Sequence, residues 1–152
     1  MEKKVSNGKF RKFVVFWVED QEFGIDIHRV SIVEKTMNIT RVPSTPPYMK
    51  GVINLRGEII PVMDLRLKFN ILEKEADDDT RIIIFKFNEV TLGVIVDRVA
   101  EVVSVSEDNI ENLTSITTDR SLDYISGVAK AEGRLITLLN VEKLIAELLT
   151  KE

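Results

Sequence analysis

The sequence predicts an all-β protein of two similar β-barrel lobes related by an internal repeat, closed by a C-terminal helix. Three observations carry this expectation. The apolar runs are short, rich in β-branched residues and separated by turn residues. The second half of the chain repeats the first at a nearly constant offset. At the end, Leu144, Ile145, Leu148 and Leu149 fall at helical spacing.

Met1–Lys9 is polar and reads as a frayed end. Phe10–Val18 is apolar and aromatic, a strand buried on at least one face. Glu19–Glu22 is a turn. Phe23–Ile27 alternates apolar residues with small or polar ones and pairs back as a second strand. His28–Val33 is short and reads as a helical turn, and Asn38–Val42 as a strand. Pro43, Pro46 and Pro47 then break regular structure, because proline has no backbone N–H to donate. Gly51–Asp64 holds two apolar arms around Gly57, the pattern of a β-hairpin with Arg56 at its tip. Leu65–Phe69 reads as one helical turn, and Glu73–Thr80, with three consecutive Asp residues, as a solvated loop.

The chain then starts again. At an offset of 69, Phe16 falls on Phe85, Gly24 on Gly93, Arg29 on Arg98, Val30 on Val99 and Val33 on Val102. At an offset of 76, Gly51-Val52 recurs as Gly127-Val128, and Gly57 as Gly133. The second copy therefore carries about seven extra residues between Val103 and Ser126. This gives one domain over 1–152, with repeat units at 13–70 and 82–145. Each unit holds about five strands, the composition of a small barrel, which also removes open sheet edges. Val141–Leu149 is the terminal helix, with Asn140 as its N-cap and a place between the lobes or across a barrel mouth.

Composition narrows the function. Of 152 residues, 44% are hydrophobic and 30% charged, which suits a folded, soluble domain. The net charge of −4 and the lack of a basic stripe argue against nucleic acid. There is no Cys, so no disulfide or thiol chemistry is available. No signal-peptide pattern or run of about 20 apolar residues is present, so the expectation is a cytoplasmic protein without membrane insertion. His28 is the sole histidine, which leaves no usual zinc spacing and allows one imidazole at most for a triad. A surface position for His28 is the simpler reading. No glycine pattern cradles phosphate. Phe13, Phe16 and Trp17 read as packing residues rather than a base-stacking platform. What remains is a binding module without catalytic residues, metal or cofactor.

The hairpin sequence Gly-Val-Ile-Asn-Leu-Arg-Gly-Glu-Ile-Ile-Pro-Val-Met-Asp-Leu, from Gly51 to Leu65, resembles the signature of the bacterial chemotaxis coupling proteins of the CheW family. The likeness extends from about Phe10 to Leu149. It implies two five-stranded barrels of SH3-like type and no enzymatic activity. It also implies two partners, the cytoplasmic tip of chemoreceptors and the regulatory domain of the histidine kinase CheA. The chain holds neither a kinase core nor a receiver segment, which favours the free adaptor. A scaffold of the same fold in a non-chemotactic pathway is the near alternative, and a small hydrolase with an unrecognised site the distant one.

Matched residue by residue, the resemblance implies receptor contacts at Val30, Ile32, Val33, Arg56, Val99 and Val102. Ile32 stands where some members carry Glu, which turns a charge contact into an apolar one. Kinase contacts are implied at Glu111, which stands where some members have Arg, and at Ile116; Leu113, apolar like Ile116 in an otherwise polar loop, is the further anchor expected there. Ordinary core packing for the valines and a plain surface charge for Arg56 are the competing readings. For Ile116 the competing role is pinning its loop to the barrel.

Overall fold

The structure is a computed structural model and describes residues 8–113 and 124–150, with side chains as far as Glu147. The repeat is visible at its opening hairpins. β1 (Phe10–Val18) pairs antiparallel with β2 (Gln21–Asp26), and β6 (Arg81–Phe87) with β7 (Val90–Val96). Gly24 lies opposite Val15 and Gly93 opposite Ile84, the same register 69 residues apart. The turns match as well. Glu19 (φ 57°) and Asn88 (φ 58°) both take the left-handed conformation that lets a tight hairpin follow the strand twist.

After each hairpin the chain crosses to the other barrel. β3 (Val30–Lys35) pairs with β6 of the second copy, and β8 (Arg98–Ser106) pairs with β1 of the first. The hairpin β4 (Met49–Leu55) and β5 (Glu58–Asp64) joins β7 through a parallel contact, Val62 to Gly93. Its counterpart is β10 (Ile125–Ala131) and β11 (Arg134–Leu139), which joins β2 through Leu138 to Gly24. One sheet runs β3-β6-β7-β5-β4. The other runs β8-β1-β2-β11-β10 and ends in the three-residue β9 (Ile110–Asn112). Each barrel therefore takes its first hairpin from one repeat and its remaining strands from the other. The two contiguous repeat units are not the two barrels.

Three apolar clusters hold this arrangement. Phe13, Val15, Val103, Ala129 and Ile136 fill the six-stranded barrel. Ile53, Ile60, Val62, Ile82 and Ile84 fill the five-stranded one. The largest cluster lies between them and includes Phe16, Phe23, Met63, Phe85, Leu92 and Leu139. Two short helices follow the last strand of each copy: α1 (Leu65–Lys68) and α2 (Val141–Thr150). Val141, Leu144 and Ile145 of α2 pack into the interlobe cluster, so the terminal helix sits between the lobes. Asn140 caps it by accepting from the Lys143 N–H at 3.0 Å.

Three expectations shift. His28–Val33 is not one turn: the Asp26 carboxylate accepts from the His28 N–H at 2.9 Å and starts a 3₁₀ turn over Ile27–Arg29, after which β3 begins at once. Asn38–Val42 shrinks to a single bridge between Thr40 and Val52, because Pro43, Pro46 and Pro47 follow too closely for a ladder. The sixth strand β9 occupies the matching place in the other barrel. At both places a glycine is required by close approach. A Cβ on Gly51 would sit 2.1 Å from the Thr40 carbonyl oxygen, and one on Gly127 2.3 Å from that of Glu111.

Candidate functional site: the edge strands and the hairpin tip

The residues singled out for receptor contact fall on β3, β8 and the β4–β5 tip. Val30 opposes Phe85, and Val99 opposes Phe16; one step along, Val33 opposes Ile83, and Val102 opposes Val14. A bulge interrupts each ladder at the same point, between Val30 and Ile32 and between Val14 and Phe16. A bulge adds a residue on one strand and re-aims the side chains beyond it. Val30 and Val99 are half-buried against the interlobe cluster. Val33 and Val102 stand out at 37% and 51% exposure, enough to offer an apolar face to a partner.

The valines thus lie on edge strands, not on turns. Ile32 is half-buried against the interior of the five-stranded barrel. It shares a cleft of about 170 Å³ with Leu55 and Arg56, so the fold brings Ile32 and Arg56 together. Val102 lines a different cleft, on the six-stranded barrel, with Phe10 and Glu132. Arg56 occupies a two-residue turn with Gly57, and both have positive φ (55° and 85°). The Asn54 side chain accepts from the Gly57 N–H at 3.1 Å and holds the tip. Arg56 itself makes no ion pair among the described residues and projects from an ordered turn.

Arg29 and Arg98 hold the flanks. Each lies over an aromatic ring of the neighbouring hairpin, Arg29 over Phe87 at 4.9 Å and Arg98 over Trp17 at 4.8 Å. Arg29 also pairs with Glu142 of α2. On the other side, Arg66 of α1 grips Asp97 with two bonds, at 2.9 and 2.7 Å. Partial burial alone would raise the Asp97 pKa; the Arg66 guanidinium and the Glu19 N–H hold it below the ordinary value.

Of the kinase set, Glu111 is exposed on β9, and Leu113 follows it half-buried, its N–H donating to the Ser126 carbonyl. Ile116 lies outside the described residues. Of the chemistry weighed against, His28 is at the surface with 86% of its side chain exposed, beside Asp26. No group of three His, Cys, Asp or Glu could hold a metal among the described residues. No helix there is long and apolar enough to cross a membrane.

Sequence reasoning missed a cluster near the interlobe core. Lys68 Nζ lies over two tyrosine rings, 4.1 Å from Tyr48 and 4.4 Å from Tyr124, and pairs with Glu147 of α2. Tyr124 donates to the same carboxylate at 2.7 Å. Burial would lower the Lys68 pKa, but Glu147 and the Tyr124 hydroxyl raise it above the ordinary value, so it stays charged. Tyr48 and Tyr124 are 76 apart, the repeat's own offset, and that was the available signal.

Two interlocked barrels, exposed edge strands and an exposed cation, Arg56, with no ion pair among the described residues suit a protein-binding domain. The family model of the CheW-like domain matches residues 12–149. Chemotaxis protein CheW of Bacillus subtilis is 37% identical over 88% of this chain and 86% of its own length. Chemotaxis protein CheW of Klebsiella aerogenes is 32% identical over 90% and 82%. The crystal structure of the scaffolding protein TtCheW from Thermoanaerobacter tengcongensis aligns with a TM-score of 0.79 and 39% identity, covering 86% of this chain and 89% of that one. The chain belongs to the CheW-like family of chemotaxis adaptors.

Proposed function

We propose that this chain couples the cytoplasmic tip of a chemoreceptor to the histidine kinase CheA, without chemistry of its own. The observation that carries the receptor half is the matched pair of edge strands. β3 and β8 each set one valine against the interlobe core and leave a second, Val33 or Val102, exposed. A receptor tip is a helical hairpin, and a helix docks by laying an apolar face on such a surface with polar anchors at the rim. Arg56, exposed on its turn and without an ion pair among the described residues, is the rim anchor on the five-stranded barrel. Val30 and Val99 support the surface from below, and Ile32 makes an apolar rather than a charged contact.

The kinase half rests on the family resemblance, in which the regulatory domain of CheA shares this fold. Glu111 and Leu113, at and just after β9 of the six-stranded barrel, and Ile116, which lies outside the described residues, form its contact, with the two apolar residues as anchors. The exchange of strands between repeats supports one domain over 1–152, because neither repeat unit holds a complete sheet. The protein acts without a cofactor in the cytoplasm, at the inner face of the membrane beside the receptors.

The test is binding of a receptor-tip fragment, followed by calorimetry, to Val33→Asp, Val102→Asp and Arg56→Ala. Each is expected to weaken binding about tenfold or more, as interface anchors do, with the melting temperature unchanged. Unchanged affinity in all three removes this surface from the receptor site.

A further inference from the structure

The terminal helix α2 reaches both proposed interfaces and is held by charge at each end. Tyr124, the residue before β10, lies along it. The Tyr124 carbonyl accepts from the N–H of the cap residue Asn140 at 2.7 Å. Its hydroxyl donates at 2.7 Å to Glu147, about two turns further along the helix. Lys68 pairs with the same carboxylate, and its side chain is only 5% exposed. β10 in turn carries β9: Gly127 faces Asn112, Val128 faces Glu111, and the Ser126 carbonyl accepts from the Leu113 N–H at 3.3 Å. The far end of α2 is thus fastened to the strands that present Glu111 and Leu113. At its near end, Glu142 pairs with Arg29 at 2.5 Å. Arg29 closes the 3₁₀ crossing, and the next residue, Val30, opens β3. Asp26, the other acid on that crossing, is taken up by Arg11 and by the His28 N–H. Between the two ends, Val141, Leu144 and Ile145 seat the helix in the interlobe cluster.

The first repeat has only one of these two ends. Arg66 of α1, the counterpart of Glu142, grips Asp97 at the crossing into β8. But α1 stops after four residues, and the hydroxyl of Tyr48, the counterpart of Tyr124, is buried with no hydrogen-bond partner among the described residues. Among the described residues, α2 alone ties a crossing to a strand pair at its other end.

We propose that α2 is a strut that positions β3 against the β9–β10 pair, with Glu142 and Glu147 as its positioning residues, so that binding at one interface favours binding at the other; the coupling rests on the receptor and kinase readings above. The two ends are unequal. The Glu147 end is fixed, because parting a buried pair leaves an uncompensated charge behind. The Glu142 end is the one that opens, since its side chains are 37% and 45% exposed and such a pair contributes little by itself. A receptor helix that holds Val30 and Val33 also holds Arg29 against Glu142. A kinase domain on β9 and β10 holds Tyr124 against Glu147. Each partner orders the same helix, and the second to bind finds it already ordered. The effect is reciprocal.

Hydrogen exchange on the full chain tests the strut without any partner. In Glu147→Gln, the change lies at the far end of the helix, yet the β3 amides are expected to exchange about threefold or more faster relative to those of β8, which α1 holds instead. The exposed Glu142→Gln is expected to do the same. An unchanged ratio of β3 to β8 exchange in both variants overturns the strut. Calorimetry then tests the coupling. The receptor-tip fragment is expected to bind the wild type about fivefold or more tightly when the CheA regulatory domain is already bound. In Glu142→Gln each partner alone is expected to bind within about twofold of wild type, with the enhancement gone. A wild type without enhancement, or a variant that keeps it, overturns the coupling. A wild type that binds no receptor fragment at all counts against the receptor reading, and the exchange ratio then decides the strut alone.

Discussion

The two hairpin tips differ in one instructive way. Arg56-Gly57 and Glu132-Gly133 are 76 residues apart and have nearly the same backbone, with φ of 55° and 85° at one and 53° and 77° at the other. Their charges are opposite. The same division runs through the whole repeat. Gly51 and Gly127, which let a carbonyl approach, are duplicated. So are Tyr48 and Tyr124, whose carbonyls accept from the N–H of the helix caps Asp64 and Asn140. The cap positions keep their role but change charge, and the exposed tips invert it. What the fold requires is repeated, and so are the exposed Val33 and Val102 of the edge strands; the hairpin tips have diverged. If the shared valines give both barrels an apolar face, the tips are where the two faces differ, Arg56 on one and Glu132 on the other.

The largest expected effect tests the strand exchange. Residues 8–75 and 76–152 made separately are expected to lack cooperative unfolding, since each half lacks strands of both sheets. Mixed, they are expected to form one folded complex by size-exclusion chromatography and circular dichroism. A half that folds alone would break the account of interlocked barrels.

Next come Gly51→Ala and Gly127→Ala. Each places a methyl well inside contact distance of a backbone oxygen. Each is expected to cost about 2–4 kcal/mol in urea unfolding. A loss confined to one of them would mean that the two barrels are not held in the same way.

A smaller effect separates the two caps. Asp64 is 4% exposed, and burial raises its pKa even though the Arg66 N–H donates to it. An acid whose folded pKa is raised favours the folded state in acid and loses that contribution as pH climbs from the ordinary value through the raised one. Asp64→Asn copies the other barrel's cap and removes this step. It is expected to match the wild type in strong acid and to exceed it by a few tenths to about 1 kcal/mol at neutral pH. A variant less stable at neutral pH would show that the carboxylate's cap outweighs its burial.

The smallest effect on stability is at the tips. Arg56→Ala and Glu132→Ala are exposed and unpaired among the described residues, and each is expected to move stability by less than about 0.5 kcal/mol. Their separation is expected in binding alone.

Much of this architecture was legible because strands and turns leave local signals. Alternating runs around Glu19, Arg56-Gly57 and Gly133 gave the hairpins, and equal spacing gave the repeat. The exchange was not legible, because a repeat says which strands are alike and not which ones pair. Phe85 can face Val30 or Val99 with equal sequence support, and a short crossing after Arg29 decides it. β3 was hidden because it is a half-exposed edge strand opened by a 3₁₀ turn, so Val30–Lys35 lacks a continuous apolar run. The site was legible as residues but not as a surface. Val33 and Val102 emerge because bulges shift the register beside them, a feature without a sequence signature here.

The central claim is tested most directly by reconstitution. Purified CheA is assayed for phosphorylation with a receptor fragment, in the presence and absence of this protein. Kinase activity under receptor control is expected only when the protein is present. Arg56→Ala is expected to lose most of that activation, while Glu132→Ala keeps it. Activation by receptor without the protein would contradict the coupling role, and equal activation by both variants would contradict the part given to the Arg56 tip.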